Sequence, residues 1–149
     1  MKWTKSKSIQ LSLICTAFFG LFLFALDLFG IRLIGWYVGF RCMPESIFLR
    51  MAVTLYTASI FGWYCLWSLW RLLKNIRSGN VFTDGNVGLL RGISWCLAGA
   101  ALIFLISGLY YLPFLIVSAG AAFIMLIVRV VKNVFQQANE MKTELDLTI

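Results

Sequence analysis

Four runs of apolar residues set what this chain can become: residues 9–30 ("IQLSLICTAFFGLFLFALDLFG"), 47–70 ("IFLRMAVTLYTASIFGWYCLWSLW"), roughly 87–111, and 113–131. Each is close to the length of about 20 residues that carries a helix across the hydrocarbon core of a bilayer. Lipid offers backbone groups no hydrogen-bond partners, so only helices and closed barrels cross it. The runs are continuous rather than alternating, which selects helices. Composition agrees, with 61% hydrophobic and 13% charged residues against about half and a quarter in soluble domains. The expectation is an all-α, integral membrane four-transmembrane-helix bundle. It forms a single membrane domain over residues 1–149, with residues 132–149 as a helical tail.

The net charge of +7 is distributed as in a membrane protein, not as in a nucleic-acid binder, and no direct nucleic acid binding is expected. Basic residues flank the apolar runs, and their placement sets topology. With both termini cytoplasmic, the inner side carries Lys2, Lys5, Lys7, Arg71, Lys74, Arg77, Arg91, Arg129, Lys132 and Lys142. The outer side carries only Arg32, Arg41 and Arg50. The first run follows a basic start, as a signal peptide does, but it is too long and no A-x-A-like cleavage site follows it. It reads as an uncleaved first helix. The expected location is a bacterial inner membrane.

Residues 31–46 ("IRLIGWYVGFRCMPES") read as an outer loop with interfacial aromatics at Trp36, Tyr37 and Phe40. Pro44-Glu45 suits the first turn of the second helix. Trp63, Trp67 and Trp70 gather toward the far end of that helix as an inner aromatic belt. Pro113 breaks the third run and starts the fourth helix.

The least apolar stretch, "NIRSGNVFTDGNVGLLRGIS" (residues 75–94), is the inner connection between helices two and three. Gly79 can take the left-handed conformation that ends a helix. Thr83-Asp84 fits a helix start, with a hydroxyl for free N–H groups and a carboxylate favoured by the dipole. Phe82, just ahead of the cap, would pack back on the bundle as a hydrophobic staple. Arg71, Lys74, Arg77 and Arg91 are candidates for contact with anionic lipid headgroups.

This stretch carries a family resemblance. "LLKNIRSGNVFTDGNVGLLRGISW" (residues 72–95) and the terminal "ELDLTI" (residues 144–149) resemble domain-of-unknown-function family 2975, small bacterial four-helix membrane proteins. The family's pattern of a basic helix end, a glycine, a Phe-Thr pair and an asparagine is matched by Gly79, Phe82, Thr83 and Asn86. The likeness is read as spanning essentially the whole chain. It implies no established activity. Members often stand beside a small helix-turn-helix regulator, which implies a membrane protein acting with a cytoplasmic transcription regulator.

Asp27 is the only acidic residue inside a predicted span, and an ionisable residue there is a functional candidate. With the first helix ending near residue 30, it is expected near the outer interface. Arg50, one turn into helix two, is its candidate intramembrane ion-pair partner; Arg32 competes, and a proton or cation site is the other reading. Small residues recur on helix three at Gly88, Gly92, Cys96 and Ala100, and on helix four at Ser118, Gly120, Ala121 and Ala122. They suit close helix packing, within the chain or in a homo-oligomer.

In the tail, Ile127, Val131, Val134, Ala138, Met141 and Leu145 follow heptad spacing. With Leu147 and Ile149 they form a candidate interaction stripe, to be covered by the inner loop, a second copy or a partner. An interfacial helix lying along the headgroups is the competing reading. The alternating "ELDLTI" end suits either docking on a partner's sheet edge or groove, or a frayed terminus.

No catalytic constellation is present. There is no histidine, and the four cysteines (Cys15, Cys42, Cys65, Cys96) are scattered without a C-x-x-C. No enzyme activity, cofactor or metal is expected. The favoured reading is a regulatory or interaction protein whose inner loop and tail engage a cytoplasmic partner. The alternative is a small transport or immunity protein using Asp27 and Arg50.

Overall fold

A computed structural model describes residues 5–148 of the chain. Lys2 of the basic amino-terminal group and Ile149 of the tail stripe lie outside the described residues. Four helices follow in order: α1 (Lys5–Phe40), α2 (Glu45–Arg77), α3 (Asp84–Ser107) and α4 (Pro113–Thr148). All four are long and apolar enough to cross a membrane. The chain is a multi-pass membrane protein by architecture.

The helices pack antiparallel and serially, α1 on α2, α2 on α3 and α3 on α4; α1 and α4 do not approach each other closely. Two ends result. The tail end carries the start of α1, the α2–α3 loop and the end of α4. The far end carries the α1–α2 and α3–α4 turns. Apolar side chains mostly face outward, as lipid requires: Ile14, Phe22, Ile60, Ile116 and Phe123 are all exposed. The interior holds smaller and more polar groups, among them Thr54, Ser68, Asn86, Ser94, Ser107 and Ser118. Thr54 with Ser107 and Ser118 with Ala101 O hydrogen-bond between helices, where apolar burial supplies little drive against equally apolar lipid.

Residues 31–40 do not form the expected loop. α1 runs unbroken to Phe40, because nothing in "IRLIGWYVGF" breaks a helix and Pro44 is the first stop. It ends with Cys42 in the left-handed region (φ 49°), Cys42 N–H donating to Gly39 O at 3.1 Å and Met43 N–H to Val38 O at 3.0 Å. That is a Schellman ending on a residue other than glycine. α3 stops at Ser107, four residues before the expected boundary, and the chain turns through 108–112 before Pro113 opens α4.

The small residues on α3 and α4 serve packing within the chain at several positions. Tyr64 seats on Gly92 and Phe61 on Gly99, each filling the space a side chain would need. Ser118 donates to Ala101 O at 2.7 Å. Gly88 and Gly120 meet nothing nearby.

Candidate functional site

The α2–α3 loop is organised around one side chain. α2 ends with Gly79 at φ 87°, its N–H donating to Ile76 O at 3.1 Å and Asn80 N–H to Asn75 O at 3.1 Å, the left-handed cap expected at Gly79. Thr83 caps α3 and its side chain accepts from Asn86 N–H. Asn86 itself is completely buried. Its side-chain oxygen accepts from Asn75 Nδ2 at 2.7 Å, and its Nδ2 donates to Asn80 O at 2.7 Å and Val81 O at 2.8 Å. Both amide hydrogens are used, so Asn86 bridges the end of α2, the loop and the start of α3. Asn86 was legible as a motif position, but this bridging role was not.

From this clip two groups reach α4. Phe82 packs against Phe135, with ring centroids 5.5 Å apart. Asn139 Nδ2 donates to Asp84 Oδ1 at 2.7 Å. Phe82 therefore fastens the loop to the tail helix. Beside this contact lies a polar recess of about 290 Å³ lined by Asp84, Arg91, Gln136, Asn139 and Glu140. Arg71, Lys74, Arg77 and Arg91 are all exposed around the same end. Arg71 lies over the Trp67 ring at 5.5 Å and Arg129 over Trp95 at 6.0 Å.

The tail stripe is heptad-spaced, but the inward line is rotated by one residue. Ser118, Ala121, Met125, Val128, Lys132, Phe135 and Asn139 are among the less exposed positions of α4 and share one face. The expected stripe mostly faces away: Val131 is 39% exposed, Val134 56%, Met141 59% and Leu145 67%. Ala138 is half-buried at the edge of the clasp, and Leu147 is exposed. The reason is the contact with the loop: Phe135 packs on Phe82 and Asn139 bonds Asp84, and this turns the neighbouring line through Val134 and Met141 outward. "ELDLTI" is helical through Thr148, not extended, and every residue from Met141 to Thr148 is exposed. The helix passes beyond the last contact with the loop by about 13 Å at 1.5 Å per residue.

The Asp27–Arg50 pair does not form. Asp27 Oδ2 accepts from Trp63 Nε1 at 2.8 Å and its backbone oxygen from Tyr56 OH at 3.0 Å. Arg50 donates to Ser46 O and Ser46 Oγ, both at 3.2 Å, and lies 5.5 Å from the Tyr110 ring centre. The physical cause is depth. Gly30 abuts Leu55 and Gly62 abuts Leu23, so antiparallel register places Asp27 near the level of residue 58. That is about 12 Å along the axis from Arg50. Because α1 continues to Phe40, Asp27 sits well inside the span instead of at its edge. Its Oδ1 is buried and has no hydrogen-bond partner. Trp63 is correspondingly engaged at this depth, not in a terminal aromatic belt.

The cysteines are not all scattered in space: the Cys65 and Cys96 thiols are interacting neighbours across the α2–α3 interface. No grouping of metal-ligating side chains occurs among the described residues.

The far end carries a feature the sequence reading missed. Tyr110 OH donates to Arg50 O at 3.1 Å, and its oxygen lies 2.6 Å from Thr54 Oγ1, which lies 2.7 Å from Ser107 Oγ. Tyr110 has one proton and gives it to Arg50 O, so Thr54 donates to Tyr110 and Ser107 to Thr54. Nearby, Tyr37 OH meets Tyr111 OH at 2.5 Å, and Arg41 Nε reaches Tyr37 OH at 3.4 Å. The available signal was the hydroxyls of Thr54 and Ser107 within apolar runs, and Tyr110-Tyr111 before Pro113.

The family model "Protein of unknown function (DUF2975)" matches residues 41–149. This chain belongs to the DUF2975 family. The match covers most of the chain, including the clip, the tail and the Ser107–Thr54–Tyr110 hydroxyls; it does not extend over α1, so it is narrower than the whole-chain likeness expected. No curated protein and no solved structure matches the chain.

Proposed function

We propose that this DUF2975 protein is a non-catalytic regulatory or interaction protein of the bacterial inner membrane, with both termini in the cytoplasm. Its α4 tail is held out by the α2–α3 clip to engage a cytoplasmic partner. One observation carries the reading. α4 continues as a single helix to Thr148, gripped on one side by Phe82 and Asp84, with Val134, Met141 and Leu145 exposed elsewhere. An exposed apolar line on a fixed helix is the form in which helices are recognised by grooves or by other helices. The resemblance suggests a small helix-turn-helix transcription regulator as the partner, with a second copy of the chain as the competing occupant. The orientation rests on the bias of basic residues toward the tail end, where Arg71, Lys74, Arg77 and Arg91 would meet anionic headgroups.

The test keeps the clip intact. Met141→Asp with Leu145→Asp changes only residues beyond Asn139, whereas truncation after Val134 would also remove Phe135 and Asn139. Crosslinking pull-down from native membranes should recover a DNA-binding protein with the wild type and lose it with the double variant. Equal recovery with both would refute the tail reading.

The depth of Asp27 and its unpartnered Oδ1 favour a second reading, a transport role. A charged carboxylate near the centre of a span costs about 3 kcal/mol, which function would have to justify. Asp27→Asn separates the two: a transporter loses activity while remaining folded, and a tail-driven protein retains its output.

A further inference from the structure

We infer that the far-end cleft between α1 and the α2–α3 pair binds one acyl chain of an anionic membrane phospholipid, with the lipid phosphate at Arg41. The cleft has a volume of about 320 Å³ and is walled by Leu33, Ile34, Met51, Leu55, Ala58 and Phe104. Thr54, Phe114 and the rings of Tyr37 and Tyr111 complete the lining. Its accessible walls are wholly apolar, and its length from Ala58 to Met51 is about 10 Å, the reach of a short stretch of hydrocarbon chain.

Placement identifies the occupant. α1 packs closely only on α2, so the space between α1 and the α3–α4 side faces the surrounding lipid. A void lined by apolar atoms forfeits dispersion contacts along its whole wall. At this depth the filler at hand is hydrocarbon, because the hydroxyl of Thr54 on the wall is already engaged by Ser107 and Tyr110 and water finds no free partner. The mouth differs in chemistry. The hydrogen-bonded Tyr37 and Tyr111 stand at its rim, Arg41 stands at Tyr37 OH, and Trp36 stacks on Phe40 at 5.7 Å. Aromatic residues of this kind mark the headgroup level. An apolar slot below a guanidinium at that level matches an acyl chain below a phosphate. The inference is independent of the tail.

The probe is phosphatidylglycerol bearing a diazirine on its acyl chain, in vesicles containing the full-length protein, with a diazirine fatty acid as comparison. Labelling should concentrate on residues 33–37 and 51–58 above the level on Ile116 and Phe123 of the α4 exterior. Ala58→Phe, which fills the slot, should lower cleft labelling about fivefold, the factor expected of a modest steric penalty, without changing the exterior level. Leu33→Trp fills the same space from α1 and replaces the α2 variant if that one does not fold. Arg41→Gln should weaken cleft labelling by phosphatidylglycerol. Labelling no higher than on the exterior, insensitive to both filling variants, insensitive to Arg41→Gln, or stronger with the fatty acid would overturn the assignment.

Discussion

α1 and α2 end in the same backbone geometry, yet the two ends of the molecule are built differently. α2 closes on Gly79, for which a φ of 87° carries no side-chain penalty, and its loop is then tied down by the fully satisfied Asn86. α1 closes on Cys42, an L-residue in the left-handed region, which costs about 1 kcal/mol. The tail end is therefore fixed by a buried carboxamide with both donors used. The far end is held by hydroxyl pairs, Thr54 with Ser107 and Tyr110, and Tyr37 with Tyr111, around an apolar cleft. Carboxamides with every group paired specify one arrangement. Hydroxyls rotate and exchange partners, which suits a region in contact with lipid.

The comparison breaks first if the clip is not what holds the tail end. Asn86→Ala leaves Asn75 Nδ2 and two loop carbonyls without their partner and should cost about 3 kcal/mol. Thermal unfolding in detergent measures the loss, and proteolysis should then cut within residues 78–83. A cost as small as that of a far-end hydroxyl would erase the distinction. Thr54→Val severs the Ser107–Thr54–Tyr110 chain and should cost about 1 kcal/mol, the scale of interhelical hydrogen bonds in lipid. Cys42→Gly removes the left-handed penalty and should raise stability by about 0.5 kcal/mol, partly offset by the looser unfolded chain. No gain would mean that the turn is not strained. Smallest of all is the coupling between Asp27→Asn and Arg50→Gln. A double-mutant cycle should return an interaction energy of about zero, because the two side chains lie at different depths with different partners.

What was legible in the sequence was chemistry that acts locally. Gly79, Thr83 and Pro113 mark helix ends by their own backbone and side-chain preferences, and the apolar runs mark spans because the bilayer sets their length. What was not legible depended on which face of each helix meets which neighbour. A helix ending at residue 30, where the first apolar run stops, puts Asp27 at the edge of its span; ten further helical residues move it inward, beside Trp63. The heptad line through Val131, Val134 and Met141 is the most apolar one in the sequence, yet the contacts of Phe82 with Phe135 and of Asp84 with Asn139 turn Val128, Lys132, Phe135 and Asn139 inward. Cys65 and Cys96, 31 positions apart, meet because α2 and α3 run antiparallel. Asn86 looked like a motif position, and only the fold reveals the three segments it joins.

The central claim is that the α2–α3 clip grips α4 along the line through Phe135 and Asn139, leaving the line through Val134 and Met141 free. Thiol crosslinking in native membranes tests it directly. In a background lacking the native cysteines, Phe82→Cys is paired in turn with cysteine at each position from 131 to 141, using a short bifunctional reagent. The account predicts a maximum at 135 with a second at 139, weaker yields at 134 and 141, and minima at 133 and 137 on the opposite side of the helix. Maxima at 134 and 141 with a minimum at 135 would contradict it.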